Sequence, residues 1–204
     1  NTCLINAERG SWLFLSEVIC NLDLPPDEAA LDQCGTCTLC LEACPTGALP
    51  EPWVLDATKC LSYLTIELKR DVPELQRDEL GAHVFGCDIC QDVCPWNSAP
   101  TQSLDAAWVP RPLFDQPRLL DLWRRSDAEL RTAMKGSALR RAGVKRLRRN
   151  LAVALGNSGD LEARAVLDQT AAGAGAEERP SAHDPLVTEH VGWARRKLSS
   201  TGQG

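Results

Sequence analysis

The sequence has few aromatic residues, one methionine, three histidines and no long hydrophobic run. Its longest apolar runs, such as Trp12 to Leu15, are far shorter than the roughly 20 residues that a membrane-spanning helix needs, so we expect no membrane association. No basic segment followed by an apolar one opens the chain, so no secretory signal is indicated. These absences predict a cytoplasmic protein, and the missing initiator methionine favours a piece of a longer chain.

The composition is that of a globular protein with an unusual number of cysteines. Hydrophobic residues make up 44% and charged residues 25% of the 204 residues, which excludes collagen, coiled coil and wholesale disorder. This length suits one large domain or two small ones. All ten cysteines lie before Pro95, so the two parts of the chain differ in kind.

Charge divides the chain as sharply as cysteine does. Residues 1–123 have 7 Lys or Arg against 19 Asp or Glu, a net charge of −12, whereas residues 124–149 have 10 against 2, a net charge of +8. Residues 150–204 have a net charge of −2. The overall net charge of −6 would argue against nucleic acid as a partner, but this average hides a basic segment.

Helical patterns occur in both parts. An apolar run from Trp12 to Ile19 predicts a mostly buried helix, and Asp56 is a candidate cap for a helix that ends at Leu68. In the second part, three further helices are expected, and the Ala- and Gly-rich residues 171–180 between the last two are expected to form a flexible loop. The third of these helices is expected to begin at a cap formed by Asp184-Pro185. The expected apolar faces are Leu147, Leu151, Ala154 and Leu155 in the first helix, Leu161, Ala165 and Val166 in the second, and Val187, Val191, Ala194 and Leu198 in the third.

The first cysteine motif matches the iron–sulfur motif of two-cluster bacterial ferredoxins. Its spacing is Cys34-x2-Cys37-x2-Cys40-x3-Cys44-Pro45. Three thiolates on a tight loop can bind three corners of one cubane, while the fourth cysteine binds the other cluster.

A second motif, Cys87-x2-Cys90-x3-Cys94-Pro95, lacks the first cysteine because that position is Val84. Cys60 is the natural candidate for the missing ligand. If the last cysteine of each motif binds the cluster of the other motif, the two motifs and Cys60 supply eight ligands for two clusters. Cys3 and Cys20 are then left over. The predicted ligand sets are Cys34, Cys37, Cys40 and Cys94 for cluster I, and Cys44, Cys60, Cys87 and Cys90 for cluster II.

Two alternatives compete with a pair of [4Fe–4S] clusters. A disulfide framework does not suit an intracellular chain with a long helical part. Structural zinc explains neither the third and fourth cysteine of each motif nor the two Cys-Pro steps. The predicted fold class is therefore α+β but mostly helical, with a ferredoxin-like two-cluster domain at residues 34–100, a linker at 101–123 and a HEAT-like α-helical repeat domain at 124–204.

The basic segment is either a solvated helix face or a binding surface for a polyanion. Its charge is of one sign, without the acidic i+4 partners that a stabilising role would supply. Arginine outnumbers lysine eight to two there, which suits bidentate phosphate contacts. These features favour nucleic acid, and a helical domain favours recognition of a folded RNA by its shape. The candidate contacts in this segment are Lys135, Arg140, Arg141, Lys145, Arg148 and Arg149.

Together these residues resemble the epoxyqueuosine reductase family, which modifies tRNA with the help of cobalamin. The displaced Cys60 and the motif from Phe85 to Asn97 are the most specific features of this resemblance. It covers nearly the whole chain and rests on residues 1–12, 34–37, 43–49, 60–67, 85–97 and 151–157.

The resemblance implies an oxidoreductase that reduces the epoxide of epoxyqueuosine at the tRNA wobble position to queuosine. Electrons from an external low-potential donor would pass through the two clusters to cobalamin, and the protein would act as a monomer. Residues 1–33 would be the remainder of a cobalamin-binding domain. The catalytic acid is expected N-terminal to this chain. The implied cobalamin contacts are Ser62, Cys87 and Asp88, and Lys69 and Arg70 are additional candidates for contact with phosphate.

Three other functions remain open at this stage. They are a corrinoid reductive dehalogenase, a separate ferredoxin-type electron carrier and a zinc-stabilised RNA-binding module. A dehalogenase would not need a basic helical segment, a carrier would not bind RNA, and a zinc module would contain no iron.

Overall fold

The computed structural model of the chain describes residues 2–99 and 105–201, without the side chain of Thr201. Asn1, Pro100 and the first residues of the predicted linker lie outside the described residues. Within them, no helix is both long and apolar enough to cross a membrane.

Helices and turns account for the regular structure of the described residues. The helices are α1 (Leu39–Ala43), a π-helix (Tyr63–Glu67), α2 (Glu74–Arg77), α3 (Ile89–Asp92), α4 (Leu119–Arg124), α5 (Asp127–Met134), α6 (Gly143–Asn157), α7 (Leu161–Ala171) and α8 (Pro185–Thr201). Short 3₁₀ helices cover Pro95–Asn97, Ala106–Trp108, Pro112–Phe114, Ala138–Arg141 and Pro180–His183.

The chain divides into two compact units. Unit 1 comprises residues 1–55 and 88–104, and unit 2 comprises residues 56–87 and 105–204. Residues 56–87, which the sequence groups with the cysteine-rich domain, thus belong to the unit that contains the long helices. The predicted linker is also partly structured, because α4 begins at Leu119 and buries Leu120, Leu122 and Trp123.

The β component of the predicted α+β class is not confirmed. Within residues 2–99 and 105–201 the only β pairings are two isolated bridges, Asn6 with Gly10 and Glu51 with Val54. Turns and short helices surround the cysteines instead. Glycines at positive φ, such as Gly35 at 52° and Gly47 at 57°, contribute to these turns.

In unit 1, α1 packs against α3, and a buried amide connects the start of the chain to the end of the unit. The Asn97 side chain accepts a hydrogen bond from the Ser11 N–H (2.7 Å) and donates to the Ser11 hydroxyl (2.9 Å) and the Gln91 carbonyl (2.8 Å). Gly10 adopts φ 74°, and a Cβ there would collide with Asn97 and the Trp96 carbonyl. Residue 10 must therefore be glycine, because the backbone there lies too close to Asn97 and Trp96 for any side chain.

The predicted buried helix at Trp12–Ile19 is wrong. These residues are not helical, and their apolar side chains are exposed, with Phe14 86% and Ile19 97% accessible. An apolar run is buried only if a partner surface covers it, and the described part of unit 1 does not cover these side chains.

Unit 2 has a core built around α6. The α6 helix packs mainly against α8 and also contacts α4, α5 and α7. Trp123, Leu151 and Leu167 are completely buried in this core. The 15 residues of α6 include eleven buried ones, so this helix is enclosed on most of its faces.

Most of the helix predictions for this unit are confirmed. The predicted apolar faces of α6 and α8 are buried, α6 ends at Asn157, and Asp184 accepts the Leu186 N–H at the start of α8 (3.0 Å). The face predicted for α7 is wrong in part. Leu161 and Ala165 are exposed, and the buried face consists of Ala163, Val166, Leu167 and Thr170.

The helix predicted to begin at Asp56 begins later. Asp56 accepts hydrogen bonds from the Thr58 N–H (3.1 Å) and hydroxyl (2.6 Å), which stabilise a turn, and the helix covers residues 61–67. Its predicted face is nevertheless correct, since Leu61, Leu64 and Leu68 are buried.

Candidate metal centre and basic surface

The first cysteine motif forms a loop that leads into α1. The Cys37 N–H donates to the Cys34 carbonyl (3.1 Å), Gly35 adopts positive φ, and Cys40 lies in the first turn of α1. Cys94 precedes the 3₁₀ helix Pro95–Asn97, and the neighbouring Trp96 donates from its indole N–H to the Gln33 carbonyl (2.7 Å). This bond holds the end of the second motif beside the start of the first.

The four cysteines predicted for cluster I line a single cavity in unit 1. They are Cys34, Cys37, Cys40 and Cys94, accompanied by the apolar Ile5, Leu39 and Pro95. Four sulfur donors around one cavity with apolar walls are the donor set that an iron–sulfur cubane needs. The four cysteines of this cavity therefore fit a [4Fe–4S] cluster.

One thiol that lines this cavity, that of Cys34, has a pKa above its ordinary value. Burial raises the pKa of Cys34, and the nearby Asp32, Cys40 and Cys94 raise it further. Cys3 lies near Cys40 and Cys94, and burial raises the pKa of its thiol as well. A metal bound by Cys34 would have to displace the proton of this thiol, because only thiolates serve as ligands.

Cys44 has different surroundings from the other cysteines of its motif. Its sulfur accepts a hydrogen bond from the Ala48 N–H (3.3 Å) and lies 3.6 Å from the Thr46 hydroxyl. Burial acts to raise the pKa of Cys44, but these hydrogen bonds outweigh it, so the pKa lies below its ordinary value. Cys44 is absent from the residues that line the cluster I cavity.

Cys60 and Cys87, two of the ligands predicted for cluster II, are both in unit 2. Ser62 follows Cys60 by two residues, and its hydroxyl donates to the Cys87 carbonyl (3.2 Å). Cys44 and Cys90 belong to unit 1, so the complete cluster II ligand set stays a prediction.

The residues predicted to contact cobalamin have local partners. The hydrogen bond between Ser62 and Cys87 uses the Ser62 hydroxyl within the protein. Asp88 is exposed, precedes α3 and accepts a long hydrogen bond from Gln91 (3.4 Å).

Two of the arginines predicted to contact nucleic acid are in the core, so this part of the prediction is wrong. Arg148 and Arg149 are both 0% exposed. Arg148 bonds the Asp127 carboxylate (2.6 Å) and the carbonyls of Trp123 and Arg125. Burial acts to raise the pKa of Asp127, but hydrogen bonds from Ser181 and Arg148 lower it overall. A buried guanidinium used in this way is not accessible to a phosphate.

Arg149 bonds backbone oxygens on another side of α6. It donates to the carbonyls of Leu64 (2.5 Å), Leu68 (2.7 Å) and Arg70 (2.7 Å). Burial lowers the pKa of Arg149 to about 10. The run of like charges in the sequence gave no sign that these two arginines serve the core.

Other cations of the basic segment line an open cavity of about 580 Å³ in unit 2. Lys135, Arg140 and Lys145 were predicted as phosphate contacts, and Arg131 joins them there. Within the described residues no acidic side chain lines this cavity, although Lys145 also pairs with Asp184 at 3.3 Å. Arg141 forms an ion pair with Glu67 (2.6 Å), while Lys69 and Arg70 are exposed.

Comparison with known proteins finds a family match over the cysteine motifs and relatives over nearly the whole chain. Residues 33–97 match the family described as "4Fe-4S double cluster binding domain", which covers all eight predicted ligands. Over 95% of its length the chain is 41% identical to the epoxyqueuosine reductase of Salmonella typhimurium and 40% identical to that of Escherichia coli. Nearly the whole chain is similar to epoxyqueuosine reductases.

Solved structures of epoxyqueuosine reductases show the same similarity. The enzyme from Bacillus subtilis superimposes with a TM-score of 0.84 at 34% identity, over 96% of this chain and 50% of that one. An epoxyqueuosine reductase with a tRNA-Tyr epoxyqueuosine-modified stem loop gives a TM-score of 0.80 at 31% identity, over 97% and 59%. The chain covers 48% and 49% of the two curated relatives, about half of their length.

Proposed function

We propose that this chain binds two [4Fe–4S] clusters and serves as the electron-transfer and tRNA-binding part of an epoxyqueuosine reductase. The single observation that supports this most strongly is the cavity lined by Cys34, Cys37, Cys40 and Cys94. The sequence pairs Cys94 with the first motif only through the crossover rule, and these cysteines line one cavity in the fold.

The second cluster would take Cys44, Cys60, Cys87 and Cys90. Its support is the spacing of the second motif, with Val84 at the position where a cysteine is missing, together with the match to the double-cluster family. A single structural zinc site would use only four of these eight cysteines and would leave the other four unexplained.

Replacement of Cys60 tests the ligand assignment. We expect anaerobically reconstituted wild-type chain to contain about eight irons, since each cluster has four. Cys60→Ser should reduce this to about four, while Cys20→Ser, at an exposed cysteine outside both sets, should leave it unchanged. Zinc without iron in the wild type would exclude the clusters, and an unchanged iron content in Cys60→Ser would exclude Cys60 as a ligand.

The reaction proposed for the whole enzyme is the reduction of an epoxide to an alkene. Both C–O bonds of the epoxide break, a C=C bond forms, and the oxygen leaves as water after uptake of two electrons and two protons. A [4Fe–4S] cluster transfers one electron at a time, so each turnover would need two successive electron transfers through this chain. This chain would supply the electrons from an external low-potential donor, while the catalytic acid would lie outside it.

Cobalamin is the proposed electron acceptor, on the strength of the family resemblance. When bound, it would supply low-valent cobalt chemistry. The fit of the predicted contacts is partial: Asp88 offers an exposed carboxylate, whereas Ser62 and Cys87 are already hydrogen-bonded to each other. We therefore derive no step through cobalamin from these residues.

The proposed tRNA surface is the cavity lined by Arg131, Lys135, Arg140 and Lys145. Four cations around an open depression suit the phosphates of a folded RNA better than the edges of its bases. Lys69, Arg70 and Arg141 are further exposed candidates. We also propose that α6, α7 and α8 form a HEAT-like repeat, which is supported by the packing of α8 against both other helices.

Measurement of RNA affinity distinguishes the proposed reductase function from that of a stand-alone ferredoxin-type electron carrier. The carrier would bind two clusters and show no affinity for a tRNA stem loop. A chain with both properties supports the reductase function.

A further inference from the structure

The segment of unit 2 that contains Cys60 and Cys87 is connected to α6 by a polar network. Asn150, in the middle of α6, is 0% exposed. Its amide Nδ2 donates to the Thr65 carbonyl and to the Val84 carbonyl, both at 2.8 Å, and its Oδ1 accepts from Arg149. Both atoms of this amide therefore have partners, and one side chain joins the π-helix to the loop before Cys87.

Thr65 extends the network to Cys87. Its hydroxyl donates to the Leu61 carbonyl (2.7 Å) and accepts from the N–H of Gly86 (3.0 Å), the residue before Cys87. The Ser62 hydroxyl bonds the Cys87 carbonyl on the other side. The backbone is thus hydrogen-bonded immediately before and at Cys87, from a helix that begins directly after Cys60.

The local backbone explains why polar side chains are needed here. A π-helix closes i→i+5 hydrogen bonds and leaves carbonyls near its end without the usual helical partners. Arg149 and Asn150 satisfy three of these, on Leu64, Thr65 and Leu68. Since buried carbonyls without partners are costly, these bonds fix the π-helix and its flanking turns in one conformation.

We propose that Asn150 and Thr65 are positioning residues for the thiolates of Cys60 and Cys87, so that α6, a helix of the RNA-binding part, controls the geometry of one iron–sulfur cluster. This inference rests on the proposed function, because it requires Cys60 and Cys87 to be ligands. Residues that orient metal ligands through hydrogen bonds affect metal affinity and redox potential without touching the metal.

Asn150→Asp is the decisive variant. It retains the size of the side chain and the oxygen that pairs with Arg149, but it removes the N–H donors to Thr65 and Val84. Asn157 offers a matched control on the same helix. Its Nδ2 donates to the Arg77 carbonyl (2.8 Å) and the Gly81 carbonyl (3.0 Å), and neither residue neighbours Cys60 or Cys87 in the sequence.

We expect Asn150→Asp to lose about half of its iron after anaerobic reconstitution, or to retain it with one of the two midpoint potentials shifted in an EPR-monitored redox titration. The EPR signal of the other cluster should not change. Asn157→Asp should match the wild type in iron content and in both potentials. Equal losses in the two variants would reduce Asn150 to a structural role and overturn the inference.

Thr65→Val and Thr65→Ser test the second residue, and they decide the matter if Asn150→Asp fails to fold. Valine has the shape of threonine but cannot accept from Gly86, so the same cluster should be affected, and serine should restore it. Unchanged clusters in Thr65→Val and Asn150→Asp would overturn the inference while leaving the proposed function intact. A wild-type chain without iron would instead overturn the proposed function.

Discussion

At the residue scale, two arginines of the same basic segment have opposite roles. Arg140 is exposed beside the basic cavity, whereas Arg149 is buried and bonds three carbonyls of unit 2. The sequence supplies the same residue type in both places. The difference arises from position in the fold: Arg148 and Arg149 lie among ten consecutive buried residues of α6, whereas Arg140 lies in the short 3₁₀ helix before it.

Replacement of Arg149 should therefore reduce the stability of the fold rather than remove a contact with RNA. Arg149→Met leaves the carbonyls of Leu64, Leu68 and Arg70 without their donor, and we expect the free energy of unfolding to fall by about 3 kcal/mol. Arg140→Met should change it by less than about 0.5 kcal/mol. Urea unfolding measures both, and similar values for the two variants would contradict this assignment of roles.

His190 makes stability depend on pH. Its Nε2 accepts from the Val72 N–H (3.1 Å) and its Nδ1 donates to the Leu186 carbonyl (2.7 Å), which requires the neutral ring. Burial lowers the pKa of His190, and the charges of Arg77 and Arg149 act in the same direction, against the bond to Leu186 and the charge of Glu189. The folded state therefore binds this proton less readily than the unfolded state does.

The sign of the effect follows from linkage. The contribution of neutral His190 is present above the unfolded pKa of about 6.5 and is lost as the pH falls through the lower pKa of the folded state. We expect the loss of stability between pH 7.5 and pH 5 to be smaller in His190→Gln, which cannot titrate. Unfolding curves at the two pH values test this, and equal losses in wild type and variant would show that His190 does not contribute.

At the element scale, the contact between α6 and α8 depends on one glycine. A Cβ on Gly156 would lie 2.8 Å from Ala194 and from the Trp193 ring, so alanine there would force the two helices apart. Gly192 is also helical, but a Cβ there would meet only the end of Arg196, at 3.5 Å. Both glycines have helical backbone, but only Gly192 has room for a side chain.

Alanine at these positions should therefore have opposite effects. We expect Gly156→Ala to cost about 1–3 kcal/mol through overpacking. Gly192→Ala should be neutral or should stabilise by up to about 1 kcal/mol, because alanine is the better helix former. Chemical denaturation followed by circular dichroism measures both changes, and a neutral Gly156→Ala would mean that α6 and α8 can separate at little cost.

At the scale of the whole molecule, opposite charges are separated along the chain. Residues 1–123 have a net charge of −12 and include every cysteine, while residues 124–149 have a net charge of +8. Since the acidic part repels a polyanion, an RNA is expected to bind at the exposed cations of the basic segment.

Affinity for a tRNA stem loop should therefore depend on salt and on the basic cavity. Replacing Arg131 and Arg140 by Gln should weaken binding and reduce the slope of log K against log salt by about one for each phosphate that the variant no longer neutralises. Arg164→Gln, at a half-buried arginine that pairs with Asp168, is the control with the same loss of charge per residue. Fluorescence anisotropy at several salt concentrations would contradict the proposed surface if the double variant bound like the control.

By itself, the sequence determined the cysteine motifs of the iron–sulfur family match and the main helices of the second part. Cysteine spacing is a local property, and a periodic apolar face survives in any packing that covers it, so the double-cluster family match and the buried faces of α6 and α8 were predictable. The assignment of Cys34, Cys37, Cys40 and Cys94 to one cluster stays a prediction, supported by the cavity that they line. Tertiary structure decided what depends on distant partners: the exposure of Trp12–Ile19, the burial of Arg148 and Arg149, and the connection of Asn150 to the Cys87 loop. Burial and hydrogen bonding of a side chain are set by residues far away in sequence, and no local pattern contains that information.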